Sequence, residues 1–375
     1  MGDIQITATM KRATGMAQPL TARGHQVGII AWDTPANRAR LQKECPNAEP
    51  IWLPRGLHGF QESRMKIARM RAWRPDVVYV CAFSSHNWIM RISLPDHCRV
   101  IIEHSERFSA IPGTRKRHLW ELLLEYVSVL GADGLLCASR YLTNLYARHA
   151  RAMGRSHLPV HYFPYAYGSE APPDPARVTT LRQQTTGKKT VLYMGTLMPN
   201  YGIFDILHAT ANLLRKRQDF RLVVLGHGDA ARQARTLVER LGLGGVVEFY
   251  GYVPDKDLPM WFLLADVFLA PLNNTVQDLA RCPSKVYMYL PFRKPIVTCP
   301  IGDPHDLLGE DGFYYPAGDV NGMSQAMERA LDASTTWKPA HVDPQKHNWS
   351  YRTDEFLAWL DTIGIKSISS PAGKQ

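Results

Sequence analysis

Long hydrophobic runs are missing from this sequence of 375 residues. No stretch of about 18 or more apolar residues occurs, so no transmembrane helix is predicted. The N-terminus leads directly into a strand-like pattern, Ile4 to Thr9, without the features of a signal peptide. These absences predict a protein that stays in the cytoplasm.

Cysteines are few and carry no metal-binding or disulfide pattern. The six residues are scattered, mostly in or beside apolar segments, and none forms a Cys-x-x-Cys pair: Cys45, Cys81, Cys98, Cys137, Cys282 and Cys299. Such cysteines are typical of reduced core positions. We therefore expect neither a zinc site nor a disulfide framework.

Nucleic-acid motifs are also missing, although the formal net charge is +10. Residues 1–169 hold 22 Lys and Arg against 12 Asp and Glu, whereas the remainder holds 22 of each. The basic half could face nucleic acid, an anionic membrane or an anionic substrate. With no zinc-finger spacing, basic zipper or RRM-type aromatic motif, nucleic acid is the least favoured of the three.

Apolar strands alternate with helices along most of the chain, which predicts parallel sheets covered by helices in an α/β fold. The length suits two domains. We set the boundary in the Pro- and Gly-rich stretch of 168–188. The expected domains are 1–170, joined by a C-terminal helix at about 350–366, and 171–349, with 367–375 a disordered tail. A loop is expected through Pro46 and Pro50, and helices at Ala13–Ala22 and Trp120–Leu130.

Lys285 lies in a short segment that Pro283 opens as a helix and Pro291 ends. Backbone N–H groups in a first helical turn lack intrahelical acceptors and can donate to an anion. A lysine beside them adds positive charge, so this turn is a candidate phosphate-binding site. The alternative is a solvated lysine on a surface helix. The sequence before this helix favours the phosphate site.

That preceding region resembles the C-terminal domain of GT-B glycosyltransferases, above all the large family 4. The resemblance rests on the motifs MGTL (194–197), LVVLGHGD (222–229), EFYGYVP (248–254), ADVFLAPL (265–272) and PSKVYMYLPFRKPIV (283–297). It implies two Rossmann-like domains with parallel sheets facing a central cleft. It also implies a nucleotide-sugar donor, UDP- or GDP-linked, whose diphosphate lies near Lys285.

The resemblance and the glycine turns after the strands together predict the donor-binding residues. Glycine turns let backbone amides approach an anion, and the family places a loop that contacts the nucleobase near Val253. The predicted set is Gly195, Thr196, Gly226, His227, Val253, Ser284, Lys285 and Met288. Ordinary strand-to-helix turns are the competing interpretation. No metal or other cofactor is expected.

Four positions depart from the family pattern. Thr196 and Tyr201 stand where the family usually has an arginine and a lysine, and Ala280 and Met288 stand where it has paired glutamates. Methionine cannot accept the hydrogen bond that the second glutamate takes from the ribose. Lys285 could replace the missing cations, as a Pro-Ser-Lys motif does in neighbouring GT-B families that build exopolysaccharides.

Two catalytic candidates follow the strand Arg99–Ile102. By resemblance, His104 corresponds to a histidine that contacts the donor sugar, and the alternative is a hydrogen-bonded structural histidine. Glu106 could activate the acceptor hydroxyl. His104 and Glu106 are two positions apart after the strand, so their side chains face the same opening, whereas the side chain of Glu103 points the other way. The alternative for Glu106 is a solvated loop carboxylate.

The predicted function is sugar transfer from a nucleoside diphosphate sugar to a hydroxyl acceptor that is lipid-linked or a polysaccharide. The alternatives are a non-catalytic GT-B partner subunit and a sugar-nucleotide epimerase. Two segments combine cations with apolar residues: Arg64–Trp73 and Thr114–Tyr126. They predict that the protein associates peripherally with the anionic inner face of a membrane. For the second segment, the alternative is a core helix preceded by a solvated loop.

Overall fold

The computed structural model describes residues 8–57, 59–81, 90–168, 176, 179–180 and 187–365. These residues form two compact units. Unit 1 comprises the described residues of Met1–Tyr167, Ala280–Cys282 and Lys346–Gln375, and unit 2 those of Gly168–Leu279 and Pro283–Gln345. No helix in these ranges is both long and apolar enough to cross a membrane.

Unit 1 begins with two parallel sheets and the helices between their strands. Its elements are α1 (Ala8–Ala22), β1 (Gly28–Trp32), α2 (Pro35–Glu44), β2 (Glu49–Leu53), α3 (Gly59–Trp73), β3 (Val77–Val80), α4 (Met90–Ser93), β4 (Arg99–His104), α5 (Arg115–Leu130), β5 (Gly134–Cys137), α6 (Arg140–Ala152) and β6 (Val160–Tyr162). Strands β1 and β2 pair with each other, and the second sheet has the order β3-β4-β5-β6. All of these pairings are parallel.

Two sequence predictions in unit 1 were wrong. Ala8 and Thr9 begin α1 instead of ending a strand, while residues 4–7 lie outside the described residues. The expected loop through Pro50 is the strand β2. Proline is tolerated there because β2 has a single strand neighbour in its sheet, so a missing N–H need not break a ladder.

Unit 2 is a six-stranded parallel sheet between helices. Its elements are β7 (Lys189–Met194), α7 (Ile203–Leu214), β8 (Phe220–Leu225), α8 (Ala231–Arg240), β9 (Val247–Gly251), α9 (Leu258–Leu264), β10 (Val267–Ala270), α10 (Val276–Ala280, with its last residue in unit 1), α11 (Ser284–Tyr289), β11 (Ile296–Thr298), α12 (Gly302–Leu308), β12 (Gly312–Tyr314) and α13 (Val320–Ala333). The strand order is β12-β11-β10-β7-β8-β9. Read from the first strand, β7, this is the doubly wound Rossmann order, with β7 and β10 as central neighbours.

The core of unit 2 explains its nearly continuous apolar strands. Strand β8 is buried at every position, as expected for a parallel strand with helices on both faces. Helices α7 and α13 pack together on one side of the sheet. The parallel α/β fold predicted from the sequence is confirmed.

The chain ends with α14 (Trp349–Thr362), which packs on unit 1. Its aromatic residues need small partners: a Cβ on Gly15 would lie 2.5 Å from the Trp349 ring, and one on Gly134 would lie 2.7 Å from Trp359. Phe356 stacks on Tyr79 with ring centres 5.6 Å apart. The helix begins at Trp349, because the Asn348 side chain caps it by accepting a hydrogen bond from the Tyr351 N–H.

Candidate functional site

The order of the strands in unit 2 defines where a ligand would bind. Strands β7 and β10 lie side by side, yet the connections from them run in opposite directions across the sheet. In open α/β sheets, ligands bind outside the carboxyl ends of the strands at this switch point. Gly195 follows β7 and Pro271 follows β10, and a Cβ on Gly202 would lie 2.7 Å from Pro271.

Two glycine turns lie at this edge and are tied together by backbone contacts. The Gly195 N–H donates to the Leu225 carbonyl at 3.0 Å, and the Leu197 N–H donates to the His227 carbonyl at 2.9 Å. Gly226 has a φ of 134°, and a Cβ there would lie 1.9 Å from the Gly195 carbonyl oxygen. Only glycine therefore allows the β7 and β8 turns to approach so closely.

Lys285 reaches this edge from α11. Its ammonium lies 4.3 Å from the ring centre of Tyr193, within the range of a cation–π contact. A Cβ on Gly195 would lie 2.8 Å from the Lys285 Nζ atom, so the ammonium occupies the space that the missing side chain leaves. The lysine that the sequence singled out is thus held beside the first glycine turn, within unit 2. Helix α11 has only six residues, so its dipole is a weak argument for an anion site. The position of the Lys285 ammonium beside Gly195 is the stronger argument.

Two tyrosines that support this arrangement were missed by the sequence analysis. Tyr193 lies under the ammonium, and its hydroxyl donates to the Tyr201 carbonyl at 3.2 Å. Tyr289 accepts the Met194 N–H at 3.1 Å and stacks on Phe268 with ring centres 4.1 Å apart. The signal for Tyr289 was present, because it follows Lys285 by four residues and so shares its helix face.

The other predicted donor residues are distributed around the same edge. Thr196 and His227 are exposed, and the His227 ring contacts the exposed Tyr252 edge to face at 5.9 Å. Val253, Ser284 and Met288 are partly exposed: Val253 follows β9, and the other two lie on α11. Ala280, where the family has its first glutamate, is buried in unit 1, where its carbonyl accepts the Ser139 hydroxyl at 2.6 Å.

The catalytic candidates belong to unit 1. His104 is the last residue of β4, is 1% exposed, and stacks on Tyr146 with ring centres 3.8 Å apart. Burial, with His149 nearby, lowers the pKa of the His104 imidazole to about 3, so the ring is neutral at ordinary pH. Glu106 is partly exposed in the turn after β4. The two residues therefore differ sharply in access to solvent.

Glu103, one residue before His104, is enclosed in the core of unit 1. Its carboxylate lies 2.7 Å from the Nε atom of Arg12 and accepts the Tyr79 hydroxyl. Burial raises the pKa of Glu103 to about 7, against the opposing effects of Arg12 and Tyr79. Arg12 also donates to the carbonyls of Phe163 and Pro164 at 3.1 and 3.2 Å. This ion pair therefore joins α1 to the strand that leads to His104.

Two family models match the two halves of the chain. Residues 11–161 match the model described as "Glycosyltransferase Family 4", and residues 188–333 match "Glycosyl transferases group 1". The second match includes Gly195, Gly226 and Lys285. Together the matches include most of both units.

Curated relatives align over part of the chain. An alpha-D-kanosaminyltransferase of Streptomyces kanamyceticus is 25% identical over 42% of this chain and 40% of its own length. A GDP-mannose-dependent alpha-(1-6)-phosphatidylinositol monomannoside mannosyltransferase of Mycobacterium tuberculosis is 30% identical over 41% of each. The chain thus spans less than half of the length of the curated relatives it matches.

Solved structures align over nearly the whole chain. Anabaena HepE in complex with UDP aligns with a TM-score of 0.73 at 14% identity, over 96% of this chain and 98% of that one. A sucrose-phosphate synthase of Thermosynechococcus elongatus aligns with a TM-score of 0.71 at 16% identity, over 93% and 92%. This likeness confirms the predicted GT-B fold of two Rossmann-like domains.

Proposed function

We propose that this chain, which belongs to the GT-B glycosyltransferases of the family 4 type, transfers a sugar from a nucleoside diphosphate sugar to a hydroxyl acceptor. In this reaction the bond between the anomeric carbon and the diphosphate oxygen breaks, and a bond from that carbon to the acceptor oxygen forms. The acceptor proton must be removed, and the diphosphate leaves with increased negative charge. The protein has to supply groups for both tasks.

The observation that carries the proposal is the position of the Lys285 ammonium beside Gly195 at the switch point of unit 2. An ammonium there can neutralise the leaving diphosphate, while the Gly195 turn leaves room for phosphate to approach the backbone. This single cation takes the role of the two that Thr196 and Tyr201 do not provide. The donor residues that we propose around it are Gly195, Thr196, Gly226, His227, Val253, Ser284 and Met288.

Unit 1 is proposed to serve the acceptor. Glu106, which is partly exposed, would accept the proton of the attacking hydroxyl. His104 would contact the sugar near its anomeric carbon by hydrogen bonding. Its neutral imidazole suits that role better than proton transfer, although a ring that is 1% exposed must first become accessible to the sugar.

The identity of donor and acceptor is proposed more broadly. The donor is a UDP- or GDP-sugar, a choice supported by a relative that is named as GDP-mannose-dependent and a structural neighbour crystallised with UDP. The acceptor is a lipid-linked or polysaccharide hydroxyl, and the protein meets an anionic membrane surface from the cytoplasmic side. A non-catalytic partner subunit and an epimerase are not favoured, because the reported relatives are named as transferases and synthases.

The experiment is a thermal-shift panel of UDP, GDP, ADP and the corresponding monophosphates, on the wild type and Lys285→Ala. A ligand at 100 times its Kd stabilises the folded state by about 2.7 kcal/mol, so one diphosphate should raise the Tm by several degrees. Lys285→Ala should lose most of that shift. The matched control is Lys188→Ala, which removes an exposed lysine at the amino end of β7 and should keep it. If none of these nucleotides shifts the wild type, the proposed donor site is wrong.

The chemistry is tested separately from binding. Glu106→Gln should keep the nucleotide shift while lowering donor hydrolysis or transfer by ~10²-fold or more, the usual scale for an acid–base group. Full activity in this variant would remove Glu106 from the mechanism.

A further inference from the structure

Helix α5 carries an unusual concentration of exposed apolar side chains. Among the residues that the structure describes, ten large apolar or aromatic side chains are exposed, and four of them lie on α5. Leu119 is 57% exposed, Trp120 and Leu123 are each 52% exposed, and Leu130 is also exposed. A single exposed leucine is ordinary, whereas a group on one helix marks a contact surface.

These side chains share one face of α5, and that face points away from the core. At about 100° per residue, Leu119, Trp120 and Leu123 fall within about 100° of arc, with Lys116 inside it. The opposite side of the helix buries Leu124, Glu125, Ser128 and Val129. The core therefore uses a different face from the exposed one. We call Lys116, Leu119, Trp120 and Leu123 the docking face.

Positive charge surrounds the docking face. Arg115, Lys116 and Arg117 form the first turn of α5, and all three are exposed. No acidic residue occurs from 112 to 120. Cations at a helix N-terminus oppose the helix dipole unless an anion lies nearby, so this placement calls for an anionic partner.

The other basic segment of the sequence, Arg64–Trp73 on helix α3, has no group of exposed apolar side chains, although Phe60 at the start of that helix is 69% exposed. Its Ile67 and Met70 are buried, and the Trp73 indole N–H donates to Glu49 at 2.9 Å. The side chain of Lys66 is buried in an ion pair with Glu62. From Arg64 to Trp73, the described side chains therefore offer cations without exposed large apolar groups.

We propose that the docking face of α5 binds the surface of an anionic lipid bilayer. Trp120, Leu119 and Leu123 enter the boundary between headgroups and acyl chains, while Lys116 and the flanking arginines contact lipid phosphates. The long stems of these cations let their charges stay at the headgroup level. This inference extends the proposed function, because a lipid-linked acceptor would be presented at that surface. It is tested without donor or turnover, so its failure leaves the donor site untouched.

The test is flotation of the full chain with vesicles of phosphatidylcholine, alone or mixed with about one-third phosphatidylglycerol. The wild type should float with the mixed vesicles, less so as salt is raised, and remain free of the neutral ones. Arg115→Gln/Lys116→Gln/Arg117→Gln should weaken binding by about 10- to 100-fold, since each cation adds attraction to an anionic surface. Trp120→Ser/Leu123→Ser should weaken binding to a similar extent without changing the net charge.

A matched control separates local from overall charge. Arg215→Gln/Arg232→Gln/Arg240→Gln removes three exposed cations from unit 2 and should bind as the wild type does. Brominated acyl chains quench the fluorescence of tryptophans that enter the bilayer. This quenching should be weaker in Trp120→Phe than in the wild type, because the indole that inserts is then missing. If Trp120→Ser/Leu123→Ser does not fold, Arg115→Gln/Lys116→Gln/Arg117→Gln alone decides the test, because its three substituted residues are exposed.

Three outcomes would overturn the proposal. One is equal binding to neutral and anionic vesicles, and another is unchanged binding of the charge variant. The third is concentration-dependent self-association of the wild type that Trp120→Ser/Leu123→Ser abolishes, since the docking face would then join two copies of the chain.

Discussion

The carbonyl oxygen of Gly195 lies 1.9 Å from the position that a Cβ on Gly226 would occupy. Gly226→Ala must therefore push apart the β7 and β8 turns, and its φ of 134° adds backbone strain. We expect a loss of about 2–5 kcal/mol in the free energy of unfolding, measured by urea titration. Gly244→Ala is the control, because its Cβ meets nothing within 4 Å, and it should change stability by less than about 0.5 kcal/mol. Equal stability of the two variants would contradict the described turn geometry.

Tyr193 holds the Lys285 ammonium in place through its ring. Tyr193→Phe keeps the ring and should retain diphosphate affinity, losing only the hydrogen bond to the Tyr201 carbonyl. Tyr193→Leu removes the cation–π contact and should weaken diphosphate binding by about 1 kcal/mol, or roughly fivefold. Isothermal titration on the two folded variants makes the comparison, and identical affinities would show that the ring does not position the lysine.

The buried pair of Arg12 and Glu103 is expected to be strongly coupled. Arg12→Met would leave the Glu103 carboxylate buried without its cation, which costs about 3–5 kcal/mol. Arg12→Met/Glu103→Gln should lose much less than the sum of the two single variants, because it leaves no uncompensated charge. A double-mutant cycle from urea unfolding measures this coupling. Additive losses would mean that the two groups do not interact as the structure indicates.

Acid should destabilise the fold through His149. Burial, with Arg107 and Arg148 nearby, lowers the pKa of His149 to about 4, against about 6.5 in an unfolded chain. Between these values the unfolded chain binds the proton more readily, so the free energy of unfolding falls as the pH drops from about 6.5 towards 4. At pH 5 the loss should be about 1–2 kcal/mol.

The comparison with His149→Phe isolates this effect. Phenylalanine keeps the ring contacts with Tyr126 and Tyr146 but cannot take up a proton. Glu103 acts with the opposite sign, because its raised pKa gives stability below about pH 4.5 that is lost as the pH rises through about 7. That contribution is common to both proteins and cancels in the difference. If the free energy of unfolding of the wild type and of His149→Phe changes with pH in the same way, a role for His149 is refuted.

Much of unit 2 could be predicted because its sequence pattern is strong. Phe220–Leu225 is apolar apart from Arg221, which is typical of a buried strand, and Ile203–Leu214 has the apolar spacing of a helix. Unit 1 gave weaker signals. Strand β2 contains Pro50, and α5 begins at Arg115 instead of Trp120 because its first turns are exposed and cationic, with Thr114 as the cap.

The candidate site could be predicted only in part. Lys285 and Gly195 stood out through residue type and position, but their proximity joins residues 90 positions apart and needs the strand order. The burial of His104 was not foreseen, because it depends on Tyr146, a residue of α6 that no motif connects to it. Tyr193 was hidden within an apolar strand, where an aromatic residue normally indicates core packing.

The central claim is that Lys285 binds the diphosphate of the donor, and isothermal titration of uridine, UMP and UDP (or the guanosine series, if the thermal panel selects it) tests it most directly. In the wild type, affinity should rise from nucleoside to diphosphate. In Lys285→Ala, the gain from the second phosphate should disappear, a loss of about 1.5–3 kcal/mol for a charge-assisted contact, while nucleoside binding stays unchanged. If Lys285→Ala binds the diphosphate as tightly as the wild type and Lys188→Ala do, the account of this site is contradicted.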